Sequence, residues 1–139
     1  MPRIELADWQ AAQAEAQRIR FTVFVEEQGV PPELEMDDHD RACLHALAYD
    51  GARVVGTGRL LPDGHIGRMA VLKAWRGRGV GRAMLRRLVE AARERGDREV
   101  MLSSQVHALG FYEAEGFEPE GPVYEEAGIP HQAMRRRLD

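Results

Sequence analysis

The stretch that decides the fold runs from position 71 to position 85 and reads Val71-Leu72-Lys73-Ala74-Trp75-Arg76-Gly77-Arg78-Gly79-Val80-Gly81-Arg82-Ala83-Met84-Leu85. Its first residues read as the end of a strand, its middle is a turn rich in glycine and arginine, and its last residues begin an amphipathic helix. Helix N-termini expose unpaired N–H groups and the positive end of the dipole, which attract phosphate. The stretch therefore indicates a phosphate-binding turn, and the alternative is a plain strand-to-helix connection with solvated arginines.

Two common nucleotide-binding motifs do not fit this turn. A Walker A loop ends in Gly-Lys-Ser/Thr, whereas Gly81 is followed by Arg82 and Ala83. A dinucleotide-binding turn needs a glycine three residues after its second glycine, but Arg82 follows Gly79 and Met84 follows Gly81 at that spacing. The sequence therefore argues against a nucleoside triphosphatase and against a dinucleotide-binding domain.

The predicted elements on either side of the turn give an α+β layout. Apolar spacing predicts a first helix that begins after the N-cap residue Asp8 and ends before Gly29, followed by an acidic loop up to Asp40. The remaining pattern predicts a central mixed, mostly antiparallel twisted sheet flanked by helices. Its strands are expected at 44–49, 53–61, 65–72 and 98–104 and in a hairpin around 127–130, with helices at 79–95 and 108–115.

Length and composition limit the class of protein. The chain has 139 residues, of which 44% are hydrophobic and 30% charged, and we expect a single domain over 1–139. It lacks an apolar stretch of membrane-spanning length and a signal-peptide pattern, and its single cysteine allows no internal disulfide. These features predict a cytoplasmic protein with no membrane partner.

Charge is distributed unevenly within a net charge of −4. Seven acids and no Lys or Arg lie between Glu26 and Asp40, whereas ten basic residues and three acids lie between Arg68 and Arg98. The simplest interpretation makes both blocks solvated faces, and the alternative gives the acidic block a cationic substrate and the basic block a phosphate. An RNA-binding face is disfavoured by the net acidity, so we expect no nucleic-acid partner.

A second motif lies about 30 residues downstream of the first. The turn Arg76-Gly77-Arg78-Gly79-Val80-Gly81 fits Arg/Gln-x-x-Gly-x-Gly/Ala, and Gln105-Val106-His107-Ala108-Leu109-Gly110-Phe111-Tyr112-Glu113-Ala114-Glu115-Gly116-Phe117 fits Asn-x-x-Ala-x-x-x-Tyr-x-x-x-Gly-Phe except at its first position. Together, and along nearly the whole chain, they resemble the GNAT family of N-acetyltransferases. The stretches 23–28 and 128–131 are similar to a small, mostly uncharacterised bacterial branch of that family.

The resemblance implies a GNAT-like fold and an acetyl-CoA site, with acetyl-CoA as the acetyl donor. Family members hold the CoA pyrophosphate on backbone N–H groups of the glycine-rich loop and pair the pantetheine arm with the preceding strand. Gln105 carries the amide of the family's asparagine on a longer side chain. The cofactor-binding residues implied by position are Met69, Ala70, Val71, Arg76, Gly77, Arg78, Gly79, Val80, Gly81, Arg82, Gln105 and Phe111.

The resemblance also implies a catalytic residue. Tyr112 falls on the family's tyrosine, which protonates the departing CoA thiolate, a role that suits a phenol. The alternative is that Tyr112 only packs its short helix against the sheet. The attacking amine must be neutral, which requires a base or a water chain. The candidate bases are Glu26, Glu27, Asp37, Asp38, His39 and His131, of which Glu27 and His131 are expected on the substrate side.

These observations predict an acetyl-CoA-dependent N-acetyltransferase that transfers an acetyl group directly to a primary amine of a small molecule or peptide. The alternative is a catalytically weak CoA-binding sensor or interaction module. His39, Cys43 and His45 match no common metal-ligand spacing, so we expect no metal site. Families of this kind often dimerise, which leaves a homodimer open.

Overall fold

A computed structural model describes residues 2–138, in which seven strands and four α-helices follow one another along the chain. A π-helix over Phe21–Glu27 continues the first α-helix. None of the helices in 2–138 is long and apolar enough to cross a membrane. The elements are β1 Arg3–Ala7, α1 Trp9–Arg20, α2 Pro32–Glu35, β2 Leu44–Asp50, β3 Arg53–Leu60, β4 Ile66–Val71, α3 Val80–Glu94, β5 Glu99–Gln105, α4 Leu109–Glu113, β6 Glu118–Glu126 and β7 Ile129–Arg137.

Within residues 2–138, one isolated backbone bridge connects two antiparallel sheets. The first sheet has the order β1-β2-β3-β4 and the second has the order β5-β7-β6. A parallel bridge between His65 and Met101 joins them, and the Met101 N–H donates to the Gly64 carbonyl at 3.1 Å. Past this bridge, within 2–138, β4 pairs only with β3 and β5 only with β7. The predicted α+β class is confirmed, and β4 and β5 leave a gap between them.

Helices cover both faces of the first sheet. Alternating side chains of β3 face opposite sides, so that Val54 lies in the cluster beneath α1 and Val55 in the cluster beneath α3. The α3 stripe predicted from the sequence is buried as expected, which fixes the helix on the sheet and directs its N-terminus toward the end of β4. The buried residues of α3 are Val80, Met84, Leu85, Leu88, Val89 and Ala92.

The N-terminal part of the chain differs in two ways from the sequence prediction. The N-cap is confirmed, because the Ala11 N–H donates to Asp8 Oδ1 at 2.9 Å. The sequence analysis did not predict β1, although Arg3–Ala7 alternates between exposed and half-buried side chains along most of its length. It also predicted one continuous helix, whereas Phe21–Glu27 winds as a π-helix. This run is rich in aromatic and β-branched residues, which disfavour regular α-helix.

The acidic segment, Glu26–Asp40, is only partly a solvated face. Asp40 is buried and accepts hydrogen bonds from Arg20 and Arg59, each at 2.9 Å. Glu35 is also buried and pairs with Arg20, and Arg59 Nη2 donates to Asp37 Oδ2 at 2.6 Å. The solvated interpretation is therefore wrong for Glu35 and Asp40, because arginines from α1 and β3 reach under the segment and fix it across the sheet.

Candidate functional site

The gap between β4 and β5 is the centre of the candidate site. Beyond the His65–Met101 bridge, β4 continues through Gly67 to Met69–Val71, and β5 continues through Ser103 to its last residue, Gln105. Within 2–138, no backbone hydrogen bond joins the edge of β4 that faces β5 to that strand. We call this gap, between Met69–Val71 and the end of β5, the interstrand slot. Its free N–H and C=O groups can pair with an extended ligand that carries amides.

A bulge shapes the β4 side of the interstrand slot. The register of β3 with β4 shifts between Thr57–Ala70 and Arg59–Gly67, which leaves one extra residue on β4. Arg68 lies in this bulge at φ 49°, in the left-handed region that non-glycine residues seldom adopt. Its guanidinium donates to the Glu35 carbonyl at 3.2 Å and to Asp37 at 3.2 Å. The acidic segment therefore holds the bulge in place.

The glycine-rich turn leads from β4 to an open helix end. Gly77 and Gly79 take φ values of 77° and 81°, which side chains disfavour. Gly79 is the N-cap of α3 and provides no side-chain cap, so the first N–H groups of the helix remain free for an anion. A Cβ at Gly81 would come within 3.6 Å of the Phe111 ring and 3.8 Å of Val71, so the helix begins close to both.

The arginines of the turn have protein partners. Arg76 Nε donates to the Val71 carbonyl at 2.9 Å, and its Nη2 donates to Glu27 Oε2 at 2.8 Å. Arg78 lies over the Trp75 ring with 5.0 Å between the guanidinium carbon and the ring centre. Arg76 therefore braces the end of β4 against the π-helix, and its carboxylate partner is the predicted substrate residue Glu27.

Tyr112 lies on α4 among aromatic rings. Its ring centre is 5.0 Å from that of Phe111 and 6.0 Å from that of Phe117, both in edge-to-face arrangement. Burial raises the pKa of Tyr112 to about 12, so the phenol stays protonated at neutral pH. Within 2–138 its hydroxyl has no side-chain hydrogen-bond partner, and so it is free to donate to a ligand.

Three hydrogen-bonded side chains lie at the end of β5, beside the interstrand slot. Gln105 Nε2 donates to Gln28 Oε1 at 2.9 Å, and His107 Nε2 donates to Gln105 Oε1 at 2.6 Å. The π-helix ends just before Gln28, so the contact ties this segment to the end of β5. The sequence analysis assigned Gln105 to the cofactor and singled out neither Gln28 nor His107 for a role. Both polar atoms of the Gln105 amide have protein partners.

His131 lies on β7, one strand beyond β5. It is opposite Gln105 on one side and Tyr124 on the other, and only 8% of it is exposed. Its Nδ1 is 2.7 Å from the Ile129 carbonyl and its Nε2 is 3.6 Å from Glu126 Oε2. The two predicted substrate residues are thus on different elements, with Glu27 in an ion pair and His131 beside a carboxylate.

The residues considered for a metal site have other partners. His45 is bonded to the Asp40 carbonyl at 2.8 Å, and Cys43 Sγ donates to the His39 carbonyl at 3.1 Å. Burial raises the pKa of the Cys43 thiol to about 11, so it stays protonated and unreactive at neutral pH. Among residues 2–138, no group of three His, Cys, Asp or Glu side chains is arranged to hold a metal ion.

Known proteins share the sequence pattern and the fold of this chain. Residues 9–138 match the family described as acetyltransferase (GNAT) domain. The chain is 37% identical to the uncharacterized N-acetyltransferase YjcF of Bacillus subtilis, over 85% of this chain and 87% of that protein. It is similar in structure to ElaA of Escherichia coli, with a TM-score of 0.87, 30% identity and coverage of 99% and 100%. An acyl-CoA N-acyltransferase from Pseudomonas aeruginosa also gives a TM-score of 0.87, at 30% identity and coverage of 98% and 99%.

Proposed function

This chain belongs to the GNAT acetyltransferase family, and we propose that it transfers an acetyl group from acetyl-CoA directly to a primary amine of a small molecule or peptide. The proposal treats 1–139 as one N-acetyltransferase domain. The observation that carries it is the open edge of β4 in the interstrand slot, which continues into the uncapped N-terminus of α3. A pantetheine arm has amides to pair with that edge, and a pyrophosphate fits free N–H groups.

The proposed cofactor site is built mainly from backbone. The strand residues Met69–Val71 would pair with the pantetheine arm, and the N–H groups from Gly77 to Arg82 would hold the pyrophosphate. Phe111 packs close to the start of α3 and would line the channel between them. Because the Arg76 guanidinium already has two protein partners, its role in this proposal is to position the end of β4.

In the proposed reaction, the neutral amine nitrogen attacks the thioester carbon and the carbon–sulfur bond breaks. N–H groups of β4 would stabilise the negative charge that develops on the carbonyl oxygen. Tyr112 would give its proton to the thiolate and recover one from the attacking nitrogen. An alkylammonium ion therefore loses two protons in total, one to CoA and one to a base.

A second candidate is a CoA-binding module with little or no turnover. The observation that favours it is the Gln105 amide, which is bonded to Gln28 and His107 and so is not free for a ligand. The two candidates differ in whether CoA is released when an amine is added.

The test is CoA release from acetyl-CoA in the presence of pentylamine, cadaverine and lysine-containing peptides. The proposed function predicts release that depends on the amine and saturates with its concentration, together with an acetylated product by mass spectrometry. Binding of acetyl-CoA without release in the presence of any of these amines would favour the CoA-binding module.

A further inference from the structure

We propose that His131, Glu126 and Tyr124 form the subsite for the acceptor amine, and this inference rests on the proposed function. In this subsite Glu126 binds the ammonium group and His131 Nε2 removes its proton. The acceptor class is a cationic alkylamine without a carboxylate near the reacting nitrogen.

The strand register supports the location of this subsite. His131 lies opposite Gln105 and Tyr124, so these three side chains share one face of the second sheet. Gln105 is the last residue of β5 and so borders the interstrand slot. The other face of the same sheet carries Leu102 and Met134, which are buried in the core. The face with His131 is therefore the one that opens on the substrate side, where Gln105 contacts Gln28.

The hydrogen bond at Nδ1 determines which nitrogen of His131 is available to accept a proton. A backbone carbonyl can only accept, so the 2.7 Å contact with the Ile129 carbonyl assigns the proton to Nδ1. In the neutral imidazole this leaves the lone pair on Nε2, on the side of Glu126. Tyr124 packs over the imidazole at 6.1 Å between ring centres, and its hydroxyl is hydrogen-bonded to Ser103, which fixes the orientation of both rings.

The other strong candidates for the base are engaged elsewhere. Glu27 is in an ion pair with Arg76 at 2.8 Å. Asp37 is paired with Arg59 at 2.6 Å and Arg68 at 3.2 Å, and the hydrogen bond from Arg59 lowers the pKa of its carboxyl far below the ordinary range. Both carboxylates are thus occupied by guanidinium groups, whereas an imidazole with a free lone pair is the usual base near neutral pH.

The charges around His131 determine which class of acceptor amine the subsite would bind. Glu126 is 58% exposed and shares the sheet face of Tyr124 and His131, so the rim of this subsite is acidic. The titratable groups beside His131 are Glu126 and Tyr124 from β6, and His107 in the turn after β5 contacts Gln105, the residue opposite His131. A primary ammonium is attracted to this rim, and a carboxylate next to the amine is repelled. The proton passes from the ammonium to His131 Nε2 and then to solvent, which leaves the neutral amine to attack the thioester.

The test compares three amines of matched length, namely cadaverine, pentylamine and aminovalerate, which end in a positive, a neutral and a negative group. We expect kcat/KM to fall in that order for the unmodified chain. His131→Gln should lower kcat/KM about 100-fold at neutral pH, with the deficit shrinking as the pH rises and the amine loses its proton in solution. Glu126→Gln should raise the KM for cadaverine about fivefold and leave the KM for acetyl-CoA unchanged.

His65→Gln is the matched control, because the His65 side chain is exposed and contacts Asp63, outside the subsite. Stabilisation by acetyl-CoA in thermal unfolding verifies that His131→Gln is folded. Glu126→Gln changes an exposed side chain, so we expect this variant to fold as well. The inference is overturned if His131→Gln keeps its kcat/KM within about twofold with an unchanged pH profile, or if aminovalerate is preferred. No turnover of any amine by the unmodified chain would instead contradict the proposed function, and the inference with it.

Discussion

At the scale of single residues, Arg59 holds the acidic segment on the sheet. It is buried and donates to Asp37 and Asp40, so its removal leaves the buried Asp40 with Arg20 alone and the half-buried Asp37 with Arg68 alone. We expect Arg59→Met to lower the free energy of unfolding by about 3 kcal/mol, measured by urea denaturation. Arg53→Met is the control, since Arg53 is exposed on the same strand and makes no ion pair within 2–138. An equal loss of unfolding free energy in both variants would contradict this role of Arg59.

The same carboxylates predict how stability depends on pH. Burial alone would raise the pKa of Asp40, but hydrogen bonds and charge from Arg20 and Arg59 lower it overall. Hydrogen bonding from Arg59 also lowers the pKa of Asp37. Because the folded pKa values lie below the unfolded ones, this stability is present above the unfolded values and is lost as pH falls through the folded ones. Below about pH 4, the free energy of unfolding measured by urea denaturation should decrease as the pH is lowered, and it should decrease less in Asp37→Asn. An identical dependence on pH in both proteins would exclude this contribution.

A substitution at Tyr112 tests the proposed proton transfer to the CoA thiolate. Its pKa of about 12 keeps the phenol protonated at neutral pH, ready to donate to a thiolate. Tyr112→Phe should lower kcat about 100-fold and leave the KM for acetyl-CoA nearly unchanged. Tyr49→Phe is the matched control, because Tyr49 lies on β2 under Arg3, away from the interstrand slot. A kcat that survives Tyr112→Phe would leave the tyrosine with a packing role only.

At the scale of elements, the two ends of α3 offer a matched comparison. Gly79 before the helix and Gly96 after it both have positive φ, and a Cβ at either would meet nothing within 4 Å. Gly79→Asp should abolish stabilisation by acetyl-CoA, because it places a carboxylate against the pyrophosphate site. Gly96→Asp imposes a similar backbone strain, about 1 kcal/mol, but should retain the stabilisation. Thermal unfolding of both variants measures this, and retention in Gly79→Asp would place the phosphates elsewhere.

The elements that could be predicted from the sequence are those whose signals are local. The turn at Gly77–Gly81, the apolar stripe of α3 and the Asp8 cap each depend on residues a few positions apart. The contacts that complete the site join residues far apart in the sequence. Gln105 contacts Gln28 at a separation of 77 positions, and Arg76 contacts Glu27 at a separation of 49. The buried acids Glu35 and Asp40 could not be predicted for the same reason, because arginines from α1 and β3 decide where they lie.

At the scale of the whole molecule, the interstrand slot exists because, within residues 2–138, one backbone bridge joins the two sheets. The helices hold the first sheet on both faces, and the hairpin of β6 and β7 extends the second. A ligand that pairs with β4 would fill the gap that leads away from the His65–Met101 bridge. Binding there would therefore stabilise the whole fold and not one element alone.

The measurement that tests this account most directly is thermal unfolding with and without acetyl-CoA, with ATP and NAD as controls. Acetyl-CoA at about 100 times its Kd should add about 2.7 kcal/mol to the free energy of unfolding, which raises the Tm by several degrees. The account predicts this shift for acetyl-CoA and a much smaller one for ATP and NAD. The absence of a shift, or an equal shift with ATP, would contradict the acetyl-CoA site at the interstrand slot.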